Sequence, residues 1–354
     1  MKIRLHSHLY LSPLIVILGP TASGKTDLAV DLAREFNGEI VNADSRQIYR
    51  EINIASAKPP LVLPLTKGET KEGVSLYQSI PHHLFNVVKP NEGFNVTHFQ
   101  ALAFQTIDDI ISRRKLPFLV GGTGLWISAV VDNFAFPNVP PNEVLRQQLQ
   151  VRICHSREIG NPEKKLTLKN DFGFLLSGSR DLWSGMTITT GQLYQQLRSQ
   201  DPDAALFIDR HNRRRIIRAL EVIHATGKPF SLQRKKGAPR YRTLELGPTR
   251  PIEELEKRIA QRLNEQMKEG LEKEARTLFS KYDPHLPALS SINLREWKEY
   301  FNRPQTLPQT LALIRLHNRQ YAKRQMTWFK KDKRIQWIKN KDEALSSINF
   351  FLHH

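Results

Sequence analysis

Gly19-Pro-Thr-Ala-Ser-Gly-Lys-Thr26 carries, in eight consecutive residues, the types and spacing that hold a polyphosphate. Glycines at 19 and 24 let the backbone wrap with its N–H groups inward, with Thr21, Ala22 and Ser23 between them. Lys25 would neutralise phosphate oxygens, and Thr26 could hold Mg²⁺ through its hydroxyl. A chance Gly/Ser turn would not need the flanks this loop has. Leu14 to Leu18 reads as a strand entering it, and Leu28, Leu32 and Phe36, at four-residue spacing, as the core face of a helix leaving it. The N-terminus of that helix adds positive potential at the same point.

Asn42-Ala-Asp44-Ser-Arg-Gln47 directly follows a second apolar strand, which places Asp44 in the same crevice. A carboxylate there can accept a proton or coordinate Mg²⁺, while an aspartate at a strand end equally suits a helix cap or an Asx turn. Val120-Gly-Gly-Thr-Gly124 ends the next strand; its glycines allow close backbone approach and Thr123 offers one directed hydrogen bond. By itself it also fits a tight strand-to-helix turn. No apolar run ending in Asp supplies the second metal carboxylate used in nucleoside triphosphate hydrolysis, so the loop is expected to hold a diphosphate leaving group. Arg213, Arg214, Arg215 and Arg218 share about one and a half helical turns, and like charges at that spacing favour a bound anion over a bare solvated face. Arg258, Arg262, Arg315, Arg319, Lys323 and Arg324, interleaved with Tyr321, Trp328 and Phe329, suit a structured RNA, although aromatics of this kind more often serve a core. His82-His83 after Pro81 reads as a hydrogen-bonded corner rather than a metal site.

The elements that must position these groups alternate: strand 14–18, helix 26–36, strand 39–42, helix 97–113 and strand 117–120. Such alternation predicts an α/β fold with a parallel sheet, whose ligands lie beyond the carboxyl ends of the strands. Residues 59–73 read as a surface loop. After Pro137-Asn-Val-Pro-Pro141 the pattern becomes helical, beginning with 143–153, and 156–190 lack a clean period and read as an insertion. Helices are expected over 210–225, from Ile252 along Leu255, Ile259, Leu263 and Met267, and over 307–330.

Fifty-three Lys+Arg against 35 Asp+Glu give a net charge of +18, a field that concentrates polyanions and makes nucleic acid the leading partner. The single cysteine, Cys154, excludes an internal disulfide and a thiolate zinc site, and fits a reducing compartment. Leu14 to Leu18 is too short for a signal segment and no run reaches membrane-spanning length. A cytoplasmic monomer without a membrane partner is expected.

In order along the chain, G-P-T-A-S-G-K-T, N-A-D-S-R-Q-I-Y, A-K-P, I-P-H-H-L, V-G-G-T-G-L, R-R-R-I-I-R-A-L-E-V, T-G-K-P-F-S and R-Q-Y-A-K-R-Q-M-T-W-F together resemble the tRNA dimethylallyltransferase family. The resemblance implies a P-loop NTPase-like sheet flanked by helices with a second, mainly helical RNA-binding lobe. It implies transfer of a dimethylallyl group from dimethylallyl diphosphate to N6 of the tRNA adenosine next to the anticodon, with Mg²⁺. Gly19 and Thr21 to Thr26 would bind the diphosphate and Thr26 the metal. Asp44 would be the general base, Thr123 would contact the target nucleotide, and Arg218 would meet the diphosphate. Asp44, Ser45, Arg46, Gln47 and the segment Arg214, Arg215, Ile216, Ile217, Arg218 would lie against tRNA. The expected organisation is a core of 1–137 plus roughly 200–330, a helical insertion at 138–199 contacting tRNA, and a tail at 331–354. The chain departs from the family's I-G-Y-K-E with Ile292-Asn-Leu-Arg-Glu296, and from G-T-A-K-P with Ala55-Ser-Ala-Lys-Pro59. A small-molecule or nucleotide kinase, for which the same loop would bind ATP, is the competing enzyme, and a non-catalytic RNA-binding module the third reading.

Overall fold

The computed structural model describes residues 11–62, 74–137, 139–142, 144–146, 188–233, 235–302 and 305–354. The chain divides into two units, Met1–Asn133 with Ala238–His354, and Phe134–Gly237. The first unit opens with β1 (Pro13–Leu18), α1 (Lys25–Glu35), β2 (Gly38–Asn42), β3 (Ser75–Tyr77), β4 (Ile80–His83), α2 (Val96–Ser112), β5 (Leu116–Gly121) and α3 (Gly124–Val131). The second unit contains β6 (Phe134–Ala135), α4 (Thr190–Gln200), α5 (Pro202–Phe207), α6 (Arg213–Thr226), α7 (Phe230–Gln233) and β7 (Lys235–Lys236). The first then resumes with β8 (Arg242–Pro248), α8 (Ile252–Glu269), α9 (Leu271–Lys281), α10 (Arg295–Asn302), α11 (Leu307–Phe329), β9 (Gln336–Ile338) and α12 (Lys341–His353).

The sheet of the first unit has the order β3-β4-β2-β5-β1-β8-β9. Every neighbouring pair is parallel except the edge hairpin β3–β4. The expected parallel α/β sheet is therefore present, with apolar side chains on both faces as helix-covered strands require. β1 displays the two-residue period: Leu14, Val16 and Leu18 join one core, and Ile15 and Ile17 the other. The phosphate loop leaves the carboxyl end of β1, with Asp44 after β2 and the glycines after β5, so three central strands deliver the candidate residues to one edge of the sheet.

Two expected boundaries move. The segment at 331–354 is no tail: β9 pairs with β8, and Ile338, Ala344 and Ile348 are buried in the sheet's second core. The second unit runs from 134 to 237 rather than 138 to 199, because α6 shares a core with Leu193, Leu197 and Ala204. Its two ends pair as β6 and β7. The segments expected as a loop at 59–73 and an insertion at 156–190 lie largely outside the described residues.

His82 and His83 fall on β4 as a hydrogen-bonded pair of positions. His82 Nδ1 bonds to Ile80 O at 2.9 Å and His83 Nε2 to Glu39 Oε2 at 2.7 Å. Glu39 is also paired with Arg113 and Lys115, tying β2, β4 and the turn before β5 into one ionic knot. Among the described residues no helix is long and apolar enough to cross a membrane.

Candidate active site

The first amides of α1 have no carbonyl four residues earlier inside the helix. The first backbone bond of the helix runs from Leu28 N to Gly24 O, and Gly24, at φ 87°, caps it without a side chain. A Cβ there would be strained by that φ and would stand 3.6 Å from the Arg250 guanidinium. Ala22 takes φ 63°, a left-handed conformation that costs an L-residue about 1–3 kcal/mol and that the surroundings must impose. They do so with side chains from the C-terminal helices and from the segment just before α8. Gln325 Oε1 accepts from Thr21 N at 2.8 Å, Arg262 donates to Thr21 Oγ1 at 2.7 Å, and Arg250 Nε donates to Ser23 O at 3.1 Å. The buried Ser23 hydroxyl has no hydrogen-bond partner among the described residues.

Beyond this loop opens a cavity of about 630 Å³, lined by Thr21, Ala22, Gly24, Lys25 and Thr26, by Asp44 and Gln47, and by Arg258, Arg262, Tyr321 and Gln325. Ile40, Phe85 and Val120 give it an apolar part. Lys25 Nζ donates to Pro20 O at 2.6 Å. Burial lowers its pKa from 10.5 to about 8, with the Asp44 charge opposing the fall and the Arg262 charge adding to it. Lys25 and Asp44 thus act on one another across a single cavity.

Asp44 forms an Asx turn and also lines the cavity; its Oδ1 accepts from Arg46 N at 2.9 Å. Asn42 Oδ1 accepts from Asp44 N at 3.0 Å, and Asn42 Nδ2 donates to Leu84 O at 3.0 Å, so the turn is anchored to the strand below it. Thr123 caps the position before α3, and its Oγ1 accepts from Ser45 N at 3.0 Å. Tyr321 pairs with the Thr123 side chain, and burial, then the Asp44 charge, push the Tyr321 phenol above its ordinary pKa. Thr123 is therefore bound to the turn that carries Asp44.

The glycines beside Thr123 are explained by close approach. A Cβ on Gly121 would lie 2.3 Å from Ala43 O, and one on Gly124 would lie 2.3 Å from the Trp328 indole. The first contact keeps β5 close enough for Thr123 to reach Ser45; the second seats α11 against α3.

Ser45 bonds to Thr123, Arg46 Nη1 donates to Pro287 O at 2.9 Å, and Gln47 faces the cavity. In the second unit, α6 presents Arg214 and Arg215 outward. Ile216 and Ile217 are 0% and 4% exposed, their side chains in that unit's core. Arg218 donates to the buried Glu221 and, at 2.8 Å, to Val139 O.

Sequence reasoning assigned Arg258 and Arg262 to an RNA surface and left Gln325 unassigned. The structure puts all three at the cavity, and Tyr321 with them, while Phe329 is core. The i,i+4 spacing of Arg258 and Arg262 was the available signal, since it sets both guanidinium groups on one face of α8.

Oxygen donors lining the cavity beside the loop include Thr26, Asp27 and Asp44. Among the described residues no cluster of three His, Cys, Asp or Glu side chains could hold a metal unaided. That set fits Mg²⁺, a hard cation that takes one or two protein oxygens and completes its shell with phosphate and water.

A family model described as IPP transferase matches residues 47–170 and 179–332, and one described as isopentenyl transferase matches 12–63. A protein named tRNA dimethylallyltransferase from Halothermothrix orenii is 37% identical over 331 residues, 92% of this chain and 87% of that protein. One of the same name from Roseiflexus is 38% identical over 320 residues, 90% of each. The crystal structure of the full-length tRNA isopentenylpyrophosphate transferase from Bacillus halodurans matches with a TM-score of 0.61 and 30% identity, over 97% of this chain and 96% of that one. A eukaryotic dimethylallyltransferase acting on tRNA matches with a TM-score of 0.63 and 26% identity, over 90% of this chain and 70% of that one. With the family models spanning most of its length and relatives this similar over nine-tenths of it, the chain belongs to the IPP transferase family.

Proposed function

We propose that the cavity binds dimethylallyl diphosphate with its diphosphate on residues 19–26, and transfers the dimethylallyl group to N6 of the tRNA adenosine next to the anticodon. The names of the relatives support a tRNA substrate. The observation that carries the chemistry is the shared cavity of Lys25 and Asp44. The exocyclic amine of adenine is a weak nucleophile, because its lone pair is delocalised into the ring. It must be held in line with the allylic carbon and lose a proton as the new bond forms. In the transfer, the allylic C–O bond breaks with its electron pair leaving on the diphosphate, a C–N bond forms, and Asp44 takes the N6 proton.

The α1 amides, Lys25 and Arg262 stabilise charge accumulating on the departing diphosphate. Thr26 would contribute to holding Mg²⁺, which when bound neutralises phosphate charge. Tyr321 and Thr123 hold the Asp44 turn, and Ile40, Phe85 and Val120 offer apolar surface to the prenyl group. To reach Asp44 the adenine must leave the stack of its loop, at a cost of a few kcal/mol that cation–phosphate contacts offset.

The test is incubation of the purified protein with labelled dimethylallyl diphosphate and tRNA, followed by mass analysis of the nucleosides. Prenylated adenosine is the expected product; label on free AMP alone, or turnover of ATP without transfer, would refute the assignment. Asp44→Ala should keep tRNA affinity while single-turnover transfer slows by about 10² to 10⁴.

A further inference from the structure

Ser56 and Ala57 line the cavity, and Gln47 Nε2 donates to the carbonyls of both, at 3.2 and 3.1 Å. From the other side the same turn is held by the C-terminal helices. Glu274 of α9 accepts the N–H groups of Asn53, Ile54 and Ala55 at 2.9, 2.9 and 2.8 Å, and Gln266 of α8 donates to Ile54 O. The last contact comes from the loop before α10, where Asn293 Nδ2 donates to Ala55 O at 3.0 Å.

Asn293 is 4% exposed and adopts φ 74°, a conformation asparagine tolerates better than other residues with a Cβ. Its Oδ1 accepts from Asn318 Nδ2 at 2.7 Å, and Asn318 Nδ2 also donates to Ile314 O at 2.9 Å. Its N–H donates to Glu296 Oε2 at 3.0 Å, and Glu296 is itself fixed by His317 and Arg295. The amide therefore has one orientation, with its donor aimed at Ala55. Ala55 and Asn293 are two of the positions at which the chain departs from the family's motifs, and they are bonded to each other.

We propose that Asn293, locked by Asn318, is a positioning residue for the acceptor side of the reaction. This rests on the prenyl-transfer reading above. Through the Ala55 carbonyl it fixes the 53–57 turn on which Gln47 rests, and Gln47 N donates to Asp44 O at 3.2 Å in the same turn as the proton acceptor. The side chains that brace the phosphate loop, Gln325, Arg262 and Arg250, make none of these contacts with the 53–57 turn. A displaced turn is felt at Asp44 and Gln47, not at the diphosphate.

Asn293→Gly keeps the backbone, since glycine occupies a positive φ freely, and deletes the amide. Asn293→Asp keeps the shape and the Asn318 contact but sets an acceptor against the Ala55 carbonyl. The measurements are steady-state transfer with tRNA varied at saturating dimethylallyl diphosphate, calorimetry with pyrophosphate, and thermal melting of each variant. Both variants should lose about ten-fold in kcat/KM for tRNA, as expected for small misplacement at a reacting centre, with pyrophosphate affinity held within about two-fold. If Asn293→Gly fails to fold, Asn293→Asp and Asn318→Ala read the same effect. Wild-type kcat/KM for tRNA in folded Asn293→Asp, or an equal loss in pyrophosphate affinity, would overturn the assignment. No transfer by the wild-type chain would bring down the underlying reading as well; transfer by the wild type with Asn293→Asp unmoved removes this one alone.

Discussion

Lys25 and Arg262 are two cations that share a cavity with the carboxylate of Asp44, and they raise the electrostatic demand for an anion above what the loop amides supply. Burial lowers the Lys25 pKa to about 8 from an ordinary 10.5, so its charge is carried at a cost that a bound polyanion would relieve. The sign follows directly. Diphosphate binding favours the ammonium and draws a proton onto Lys25, and affinity falls as pH rises above about 8. Calorimetry of pyrophosphate binding at pH 8, in buffers of different ionisation enthalpy, should therefore reveal proton uptake. The uptake should shrink in Lys25→Arg, whose guanidinium stays charged; pyrophosphate's own protonation is common to both proteins. Equal uptake in the two would remove Lys25 from the account. At this scale the sequence was most legible where the backbone itself demands a residue type, as at Gly24. It was least legible for Arg262 and Gln325, because a helical face of cations reveals its charge but not which surface it meets.

Glu39 shows what an element requires beyond its apolar period. It sits inside a strand that reads as plain hydrophobic core, yet it joins His83 of β4 to Arg113 and Lys115 before β5. Burial alone would raise its pKa, but hydrogen bonds from Arg113 and His83 outweigh burial and hold the carboxyl well below the usual range. A depressed carboxylate stabilises the fold above its unfolded pKa, here about 4.5, and loses that contribution as pH falls below it. Glu39→Gln should accordingly lower stability by about 3 kcal/mol at pH 7, the lower end for breaking a buried pair. Urea midpoints at pH 7 and pH 4 check this, and a gap between variant and wild type that widens in acid would contradict it. The strands at 14–18 and 117–120 were readable because continuous apolar runs admit few other fates. β8 was not, since Arg242-Thr-Leu-Glu-Leu-Gly-Pro248 has neither an apolar run nor turn chemistry at both ends. Its Glu245 is buried against Arg334, a partner 89 residues away that no local pattern discloses.

For the whole molecule the governing quantity is charge, +18 over 354 residues, and a field of that sign concentrates a polyanion. The basic residues do not contribute alike. Arg218 is paired with the buried Glu221 and Arg258 with Glu254, and Arg214 and Arg215 are exposed at the start of α6. That helix is fixed to its unit by Ile216, Ile217 and Leu220, so a charge change on its outer face leaves the core intact. Each cation that neutralises a phosphate releases counterions and contributes about 0.7 to 0.9 to the slope of log K against log salt. Arg214→Glu combined with Arg215→Glu should therefore weaken tRNA binding and lower the magnitude of that slope by about 2, the larger share of the range because the replacements repel as well as vacate. Pyrophosphate affinity should be unaltered, which separates loss of an RNA contact from damage to the cavity. Filter binding of tRNA across a salt series measures the slope, and a slope equal to that of the wild type would place the RNA on another face of the protein.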